Sequence, residues 1–311
     1  MNPPQESHLT VAALSHPGEA REINEDRYSV SHFVREPDGR PALLAVVADG
    51  IGGHQAGEVA AQITIDTLRT AIAGADGDDP LSELREAVIS AGRLVMETAA
   101  RDEALRGMGS TVAVAWVVDH RLYTVSVGDS RIYLLRQGRL KQISIDHTWV
   151  QEAVVHGILT PEEARTHPNA HVLHRHLGGE KDPVPDFRLR LSDTESDEQS
   201  ESNQGLLLVP GDQLLLCSDG LTDLVEPAEI QAALSKYIPA EAVASLVNLA
   251  RERGGHDNIT VIAASVPNPS DSPGGRGCLG KVLRSSVAGV ALVALVLLGI
   301  ALGYWFGLWP W

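Results

Sequence analysis

Cysteine is nearly absent from the 311-residue chain, with Cys217 and Cys278 the only two. Such usage allows no disulfide framework, and a reducing compartment is the default setting. Cys217 lies inside an apolar run with no CxxxxxR phosphate loop after it, which argues against a cysteine nucleophile. Aromatic residues make up only 4%, so Val, Leu, Ile and Ala must build the core. Positive charge is also scarce. Lys and Arg number 25 against 41 Asp and Glu, for a formal net charge of -16. Nucleic acid, whose phosphates would be repelled, is excluded as a natural partner. A phosphorylated substrate is not excluded, because bound cations can reverse the sign at a site. The GxxxxGK[ST] loop of nucleotide sites and the GxSxG nucleophile elbow are both missing. The opening MNPPQESHLT has neither a basic nor an apolar run, so no signal peptide is expected.

What is present is a body, residues 1–266, of short apolar runs and helical stretches. Residues 43–48 (LLAVVA) read as a buried strand ending at Asp49. Residues 56–72 carry Val59, Ile63, Ile65, Leu68 and Ile72 at helical spacing, and a second helix is expected over 81–100 behind Pro80. Strands are expected at 111–118, 121–127 and 131–135, at 206–209 and 213–217 on either side of a Pro-Gly turn, and at 259–266. Residues 149–164 look helical but irregular, and further helices fit 227–234 and 240–251. Hairpin-like strand pairs with helices in separate groups indicate an α+β fold rather than a doubly wound one.

Three segments stand apart. Residues 192–204 (SDTESDEQSESNQ) are acidic and contain no apolar residue, so a disordered loop is expected there. Residues 267–286 read as a flexible linker with a basic flank. Residues 287–311 contain no charge, follow Arg276, Lys281 and Arg284, and end with Tyr304, Trp305, Trp309 and Trp311. A helix of ~25 residues is ~37 Å long, enough for a transmembrane span. The basic flank predicts a cytoplasmic body on the inner membrane. Gly299, Gly303 and Gly307 fall on one helix face, which fits a weak dimer contact.

The candidate chemistry lies in aspartates at strand ends. Asp49 precedes Gly50, Asp129 follows Gly128, Asp219 precedes Gly220, and Asp257 follows Gly254, Gly255 and His256. One Asp-Gly is usually a turn. Repetition after apolar strands instead implies carboxylates held rigidly around a cleft, where they would repel one another without a hard cation such as Mg²⁺ or Mn²⁺. His167, His171, His174 and His176 cluster at no standard zinc spacing and read as a solvated polar segment.

The pieces R21-E-I-N-E-D-R27, D49-G-I-G-G-H54, G109-S-T111, G128-D-S-R131, D146-H147, S218-D-G-L-T-D223 and D257-N-I-T260 occur in an order that resembles the bacterial metal-dependent type 2C serine/threonine phosphatases. The resemblance spans about residues 9–265. It implies a four-layer α-β-β-α sandwich of two antiparallel sheets, which the residue patterns alone could not name. It implies that Asp49 bridges two Mn²⁺ or Mg²⁺ ions, with the Gly50 carbonyl, Asp26, Asp219 and Asp257 completing their shells. Glu25, Asp223 and Asn258 would stand behind these ligands. Asp129, with Asp219, would take a third, weaker ion, and Arg21 would grip the substrate phosphate. Residues 149–171 would form a flap beside the cleft. Some relatives place a histidine where Ile51 stands, which leaves no dedicated general acid at that position.

The implied function is hydrolysis of phosphoserine and phosphothreonine on proteins by a metal-activated water, opposing a serine/threonine kinase. A non-catalytic phosphoprotein-binding module and a membrane scaffold are the alternatives.

Overall fold

The computed structural model describes residues 8–35, 39–52, 56–75 and 78–268. The expected membrane helix at 287–311, with its Gly299, Gly303 and Gly307 stripe, lies outside them, as does His54. Among the described residues no helix is long and apolar enough to cross a membrane.

In chain order the elements are β1 (Thr10–His16), β2 (Arg27–Val34), β3 (Pro41–Ala48), β4 (Gly50–Ile51), α1 (Ala56–Ala73), α2 (Pro80–Arg101), β5 (Gly109–Ser110), β6 (Val112–Val118), β7 (Arg121–Val127), β8 (Arg131–Arg136), β9 (Arg139–Gln142), α3 (Trp149–Val155), α4 (Pro161–Arg165), α5 (Asp197–Ser202), β10 (Leu206–Leu207), β11 (Gln213–Cys217), α6 (Asp219–Thr222), α7 (Pro227–Lys236), α8 (Pro239–Glu252) and β12 (Ile259–Ser265). One sheet runs β1-β12-β11-β8-β9 and the other β10-β7-β6-β3-β2, while β4 and β5 form a small separate pair. The strand pairings are antiparallel throughout.

The period of two along β3 explains the layering. Leu44, Val46 and Ala48 face α1 and α2, in a cluster with Ile65, Leu68, Leu84 and Val88. Leu43, Ala45 and Val47 face the opposite way, onto Ile132, Leu214, Leu216 and Ile262 of the other sheet. That sheet in turn buries Leu215, Cys217, Val261 and Ala263 under α7 and α8. Three apolar layers therefore lie between helices, sheet, sheet and helices. A strand buried on both faces reads as an unbroken apolar run, as LLAVVA does. Burying one such Leu or Val contributes ~1.5–3 kcal/mol.

Several expectations need correction. The acidic segment 192–204 is not a disordered loop. It contains α5, whose N-cap Ser196 forms a reciprocal capping box with Gln199. Ser200 is buried, and its carbonyl accepts from the Leu189 N–H at 3.0 Å. The Gln204 amide donates to the Thr124 and Phe187 carbonyls, and that of Asn203 to the Leu189 carbonyl. Polar bonds to neighbouring backbone order this segment where apolar burial cannot. The run at 206–209 yields only a two-residue strand, Leu206–Leu207, at the edge of its sheet. The edge strands β1 and β2 were not expected from the sequence: their residues are mostly half-exposed, β2 alternates apolar with polar residues, and β1 offers only the short run 11–14 (VAAL).

Candidate active site

The registers bring the candidate aspartates to one end of the two sheets. In one sheet Arg27 pairs with Ala48, Val47 with Ala113, and Val112 with Val127. Asp26, Asp49 and Asp129 thus leave their strands at the same end. In the other sheet Cys217 pairs with Val261 and with Arg131, and Ile259 with His16. Asp219 opens α6 directly after β11, and Asp257 stands two residues before β12.

Close backbone approaches fix these ends. An added Cβ at Gly50 would lie 2.2 Å from the Gly57 carbonyl oxygen, and one at Gly57 2.7 Å from that of Gly50. The start of α1 packs against the Asp49-Gly50 turn only because both residues lack side chains. Thr111 Oγ1 accepts from the Asp49 N–H at 3.1 Å and pairs with Ser130 Oγ at 2.7 Å. Arg131 makes a forked bond to Asp146, with Nη2 to Oδ2 at 2.7 Å and Nε to Oδ2 at 2.9 Å. The Gly-Ser-Thr, Gly-Asp-Ser-Arg and Asp-His pieces are braces of one site.

Asn258 staples the loop that carries Arg21 and Glu25. Its Nδ2 donates to the carbonyls of Pro17 and Ile23 at 2.9 and 3.0 Å, and its Oδ1 accepts from the Glu25 N–H at 2.7 Å. Asp26 is buried, and Ser218 Oγ donates to its Oδ2 at 2.7 Å. Asp26 Oδ1 is buried with no hydrogen-bond partner among the described residues. Arg21 is half-exposed, and its Nη2 donates to Asp257 Oδ2 at 2.8 Å. That contact, with the nearby Glu25 and Asp219 charges, raises the guanidinium pKa further.

The electrostatics are those of an under-neutralised anion cluster. Burial and then the charges of Asp26, Asp219, Asp129 and Asp257 hold the Asp49 carboxyl well above the usual carboxylate range. Burial pushes Asp26 up to about 7 against the bonds from Ser218 and Thr260. Asp129 is raised by burial and by Asp219, Glu25 chiefly by burial, and Asp223 to about 6 by burial and Asp219. Such a set is stable in its ionised form only beside cations.

Residues 149–171 contain α3 and α4 and cover a cleft of about 500 Å³ lined by Asp129, Asp219, Asp223 and His171 among others. His171 was expected in a solvated polar run. It is exposed, but its Nδ1 stands 3.7 Å from both Asp219 Oδ2 and Asp223 Oδ2. The Asp219 carboxylate, and then that of Asp223, raise the imidazole to about 9 against partial desolvation. His171, Asp219 and Asp223 also form a three-residue group with metal-ligating atoms in mutual reach. His167 stacks on Trp149, and His174 pairs with Glu152 at 2.9 Å. Ser218, Thr111 and His171 escaped sequence reasoning as site residues. The first two sit inside motifs that signal only as a whole, and His171 reaches Asp219 across a long stretch of chain.

Below the cleft, His147 is buried between two partners. Its Nδ1 accepts from the Gly128 N–H at 3.0 Å, and its Nε2 meets Asp186 Oδ2 at 2.9 Å. Asp186 also receives Arg188. Burial acts to raise the Asp186 carboxyl, but the bonds from His147 and Arg188 outweigh it and hold the group well below the usual range.

The sequence profile of the family described as protein phosphatase 2C matches residues 19–252. The serine/threonine protein phosphatase PstP of Mycobacterium tuberculosis is 38% identical over 259 residues, covering 83% of this chain and 45% of PstP. The chain thus spans about half the length of that mycobacterial relative. The protein phosphatase PhpP of Streptococcus pneumoniae is 34% identical over 263 residues, covering 83% of this chain and 98% of PhpP. A crystal structure of the PstP catalytic domain in complex with 2 manganese ions superposes with a TM-score of 0.68 at 36% identity, covering 84% of this chain and 99% of that one. The chain belongs to the protein phosphatase 2C family.

Proposed function

We propose that the chain hydrolyses phosphoserine and phosphothreonine on proteins, using two Mn²⁺ or Mg²⁺ ions and a third, weaker one. The observation that carries this reading is the convergence of Asp26, Asp49, Asp129, Asp219 and Asp257 on one mutually repelling cluster. Asp26 Oδ1, buried without a hydrogen-bond partner among the described residues, is an acceptor waiting for a cation. Hard oxygen donors in this number fit Mn²⁺ or Mg²⁺. Asp49, the Gly50 carbonyl, Asp26, Asp219 and Asp257 would hold two ions, and Asp129 with Asp219 would take the third. Bound there, the ions would supply Lewis acidity and a water made nucleophilic near neutral pH.

The chain's own residues do the rest. The Arg21 guanidinium offers a fork that matches two phosphoryl oxygens. Glu25 and Asn258 keep its loop against β12. Ile51 has no proton to give, so position 51 supplies no acid to the leaving alkoxide. A phosphopeptide assay with Mn²⁺ tests the reading. Turnover should vanish in chelator, return with Mn²⁺, and fall to background in Asp49→Asn. Full activity in chelator would reject the reading, and phosphopeptide binding without turnover would favour the non-catalytic alternative.

The same reading extends to the cellular setting. Phosphoproteins are the substrates, a serine/threonine kinase is the opposing partner, and nucleic acid is not a partner. The uncharged residues 287–311 support a single membrane span, and Arg276, Lys281 and Arg284 before it support a cytoplasmic catalytic domain on the inner membrane. Gly299, Gly303 and Gly307 support weak pairing of that span with a like helix.

A further inference from the structure

His147 is tied to Gly128 twice. Its own N–H donates to the Gly128 carbonyl at 2.9 Å, while its ring Nδ1 accepts from the Gly128 N–H at 3.0 Å. Gly128 is the residue before Asp129 and has φ +105, a conformation that side-chain-bearing residues avoid. An added Cβ would also meet Thr111 Cβ at 2.6 Å. A glycine in such a position is required sterically, yet it is the residue that gives up most freedom on ordering. Something outside it must hold its dihedral angles, and here that is His147.

The ring can hold the Gly128 N–H only in one tautomer. Nδ1 must be bare, so the proton must sit on Nε2. Asp186 Oδ2, 2.9 Å from Nε2, takes that proton as an acceptor. With the other tautomer two N–H groups would face each other. Asp186 is itself fixed. Its backbone exchanges bonds with Ser126 of β7 at 3.0 and 3.1 Å. Its Oδ1 accepts from the Arg188 N–H at 2.9 Å and from Nε at 3.0 Å. Arg188 Nη1 then reaches Asp197 of α5 at 3.1 Å. The segment that follows the flap joins the same residue, since the His174 N–H donates to the His147 carbonyl at 2.8 Å.

We infer that His147, held in one tautomer by Asp186, is the positioning residue that sets the Asp129 carboxylate for its cation. This rests on the proposed role of Asp129 as a ligand. Partners standing behind a ligand typically change metal affinity or activity by about 10–100-fold.

The test compares two replacements of His147. Asn places its amide oxygen where Nδ1 was and can still accept from Gly128. Gln is closer to His in length but places its polar end where Nε2 was. His147→Gln should weaken calorimetric Mn²⁺ binding at the weakest site by about 10–100-fold, while His147→Asn should stay within a few-fold of wild type. A space-filling role predicts the reverse order, and that result would overturn the inference. In an Asp129→Asn background His147→Gln should cost nothing more; additive losses would overturn it too. Nitrogen-15 NMR should show the His147 proton on Nε2 in the wild-type chain, and a proton on Nδ1 would be fatal even if the Gln variant does not fold. Wild-type chain that binds no Mn²⁺ at all would sink the proposed function, and this inference with it.

Discussion

Asp26 and Ser218 meet where the two sheets join, with Ser218 Oγ donating to Asp26 Oδ2 at 2.7 Å while Oδ1 stays without a partner among the described residues. The protein steadies one oxygen of this buried carboxylate and leaves the other without a donor among the described residues. Its titration gives the first prediction. Asp26 moves from an ordinary 3.8 to about 7 in the folded, metal-free chain. Between those values the folded state binds more protons than the unfolded one, so stability falls as pH rises through the window. The slope is at most ~1.4 kcal/mol per pH unit for one group. In chelator the melting temperature should therefore be higher at pH 5 than at pH 8. Mn²⁺ at ~100 times its dissociation constant should add ~2.7 kcal/mol, and chiefly at the higher pH. A calorimetric melt that rises from pH 5 to 8 in chelator would contradict this.

Arg21 provides the second. Its guanidinium rests on Asp257, at the rim of the cluster rather than inside it. Arg21→Ala should raise KM for a phosphopeptide while Mn²⁺ binding stays intact, and Lys should restore only part because it lacks the fork. An unaltered KM in steady-state kinetics would remove Arg21 from phosphate binding.

The third concerns α5. Replacing the N-cap, Ser196→Ala, should cost ~1 kcal/mol of stability. Deleting residues 192–204 should cost more, because Leu189, Thr124 and Phe187 lose backbone partners. Chemical denaturation reads both changes. A deletion variant as stable as the wild type would restore the picture of a passive loop.

The fourth tests the setting. A chain cut after Val266 should stay in the supernatant after ultracentrifugation and turn over a small aryl phosphate at the full-length rate. The full-length chain should float with vesicles, and protease outside intact spheroplasts should spare the catalytic domain. Digestion there would reverse the orientation.

Much of the site was readable because its chemistry is local. Asp49, Asp129 and Asp219 each stand at the end of an apolar strand beside a glycine, and composition marks all three. The ends of β3 and β11 were readable for the same reason, since a strand buried on both faces leaves an unbroken apolar run; β7, interrupted by Thr124 and Ser126, was readable from its alternation and flanking turns. Of the two edge strands, β2 alternates apolar with polar residues and β1 offers only the short run 11–14 (VAAL), so neither stood out. α5 carries no apolar residue, so no periodicity marked it; its Ser196–Gln199 capping box is a finding of the structure. The approach of His171 to Asp219, and of Asp186 to His147, depends on tertiary turns that no spacing encodes.

The two sheets contribute unequal halves of one cluster: Asp26, Asp49 and Asp129 from one, Asp219 and Asp257 from the other. A bound cation would act as a rivet through both plates. Slippage between the sheets, which an apolar layer including Val47, Ile132 and Leu216 and the Ser218–Asp26 bond already resist, would then have to break ligand bonds. Hydrogen exchange should slow together in β3 and β11 when Mn²⁺ binds, although neither strand interior touches an ion. Thinning that layer with Val47→Ala should loosen metal binding from a distance.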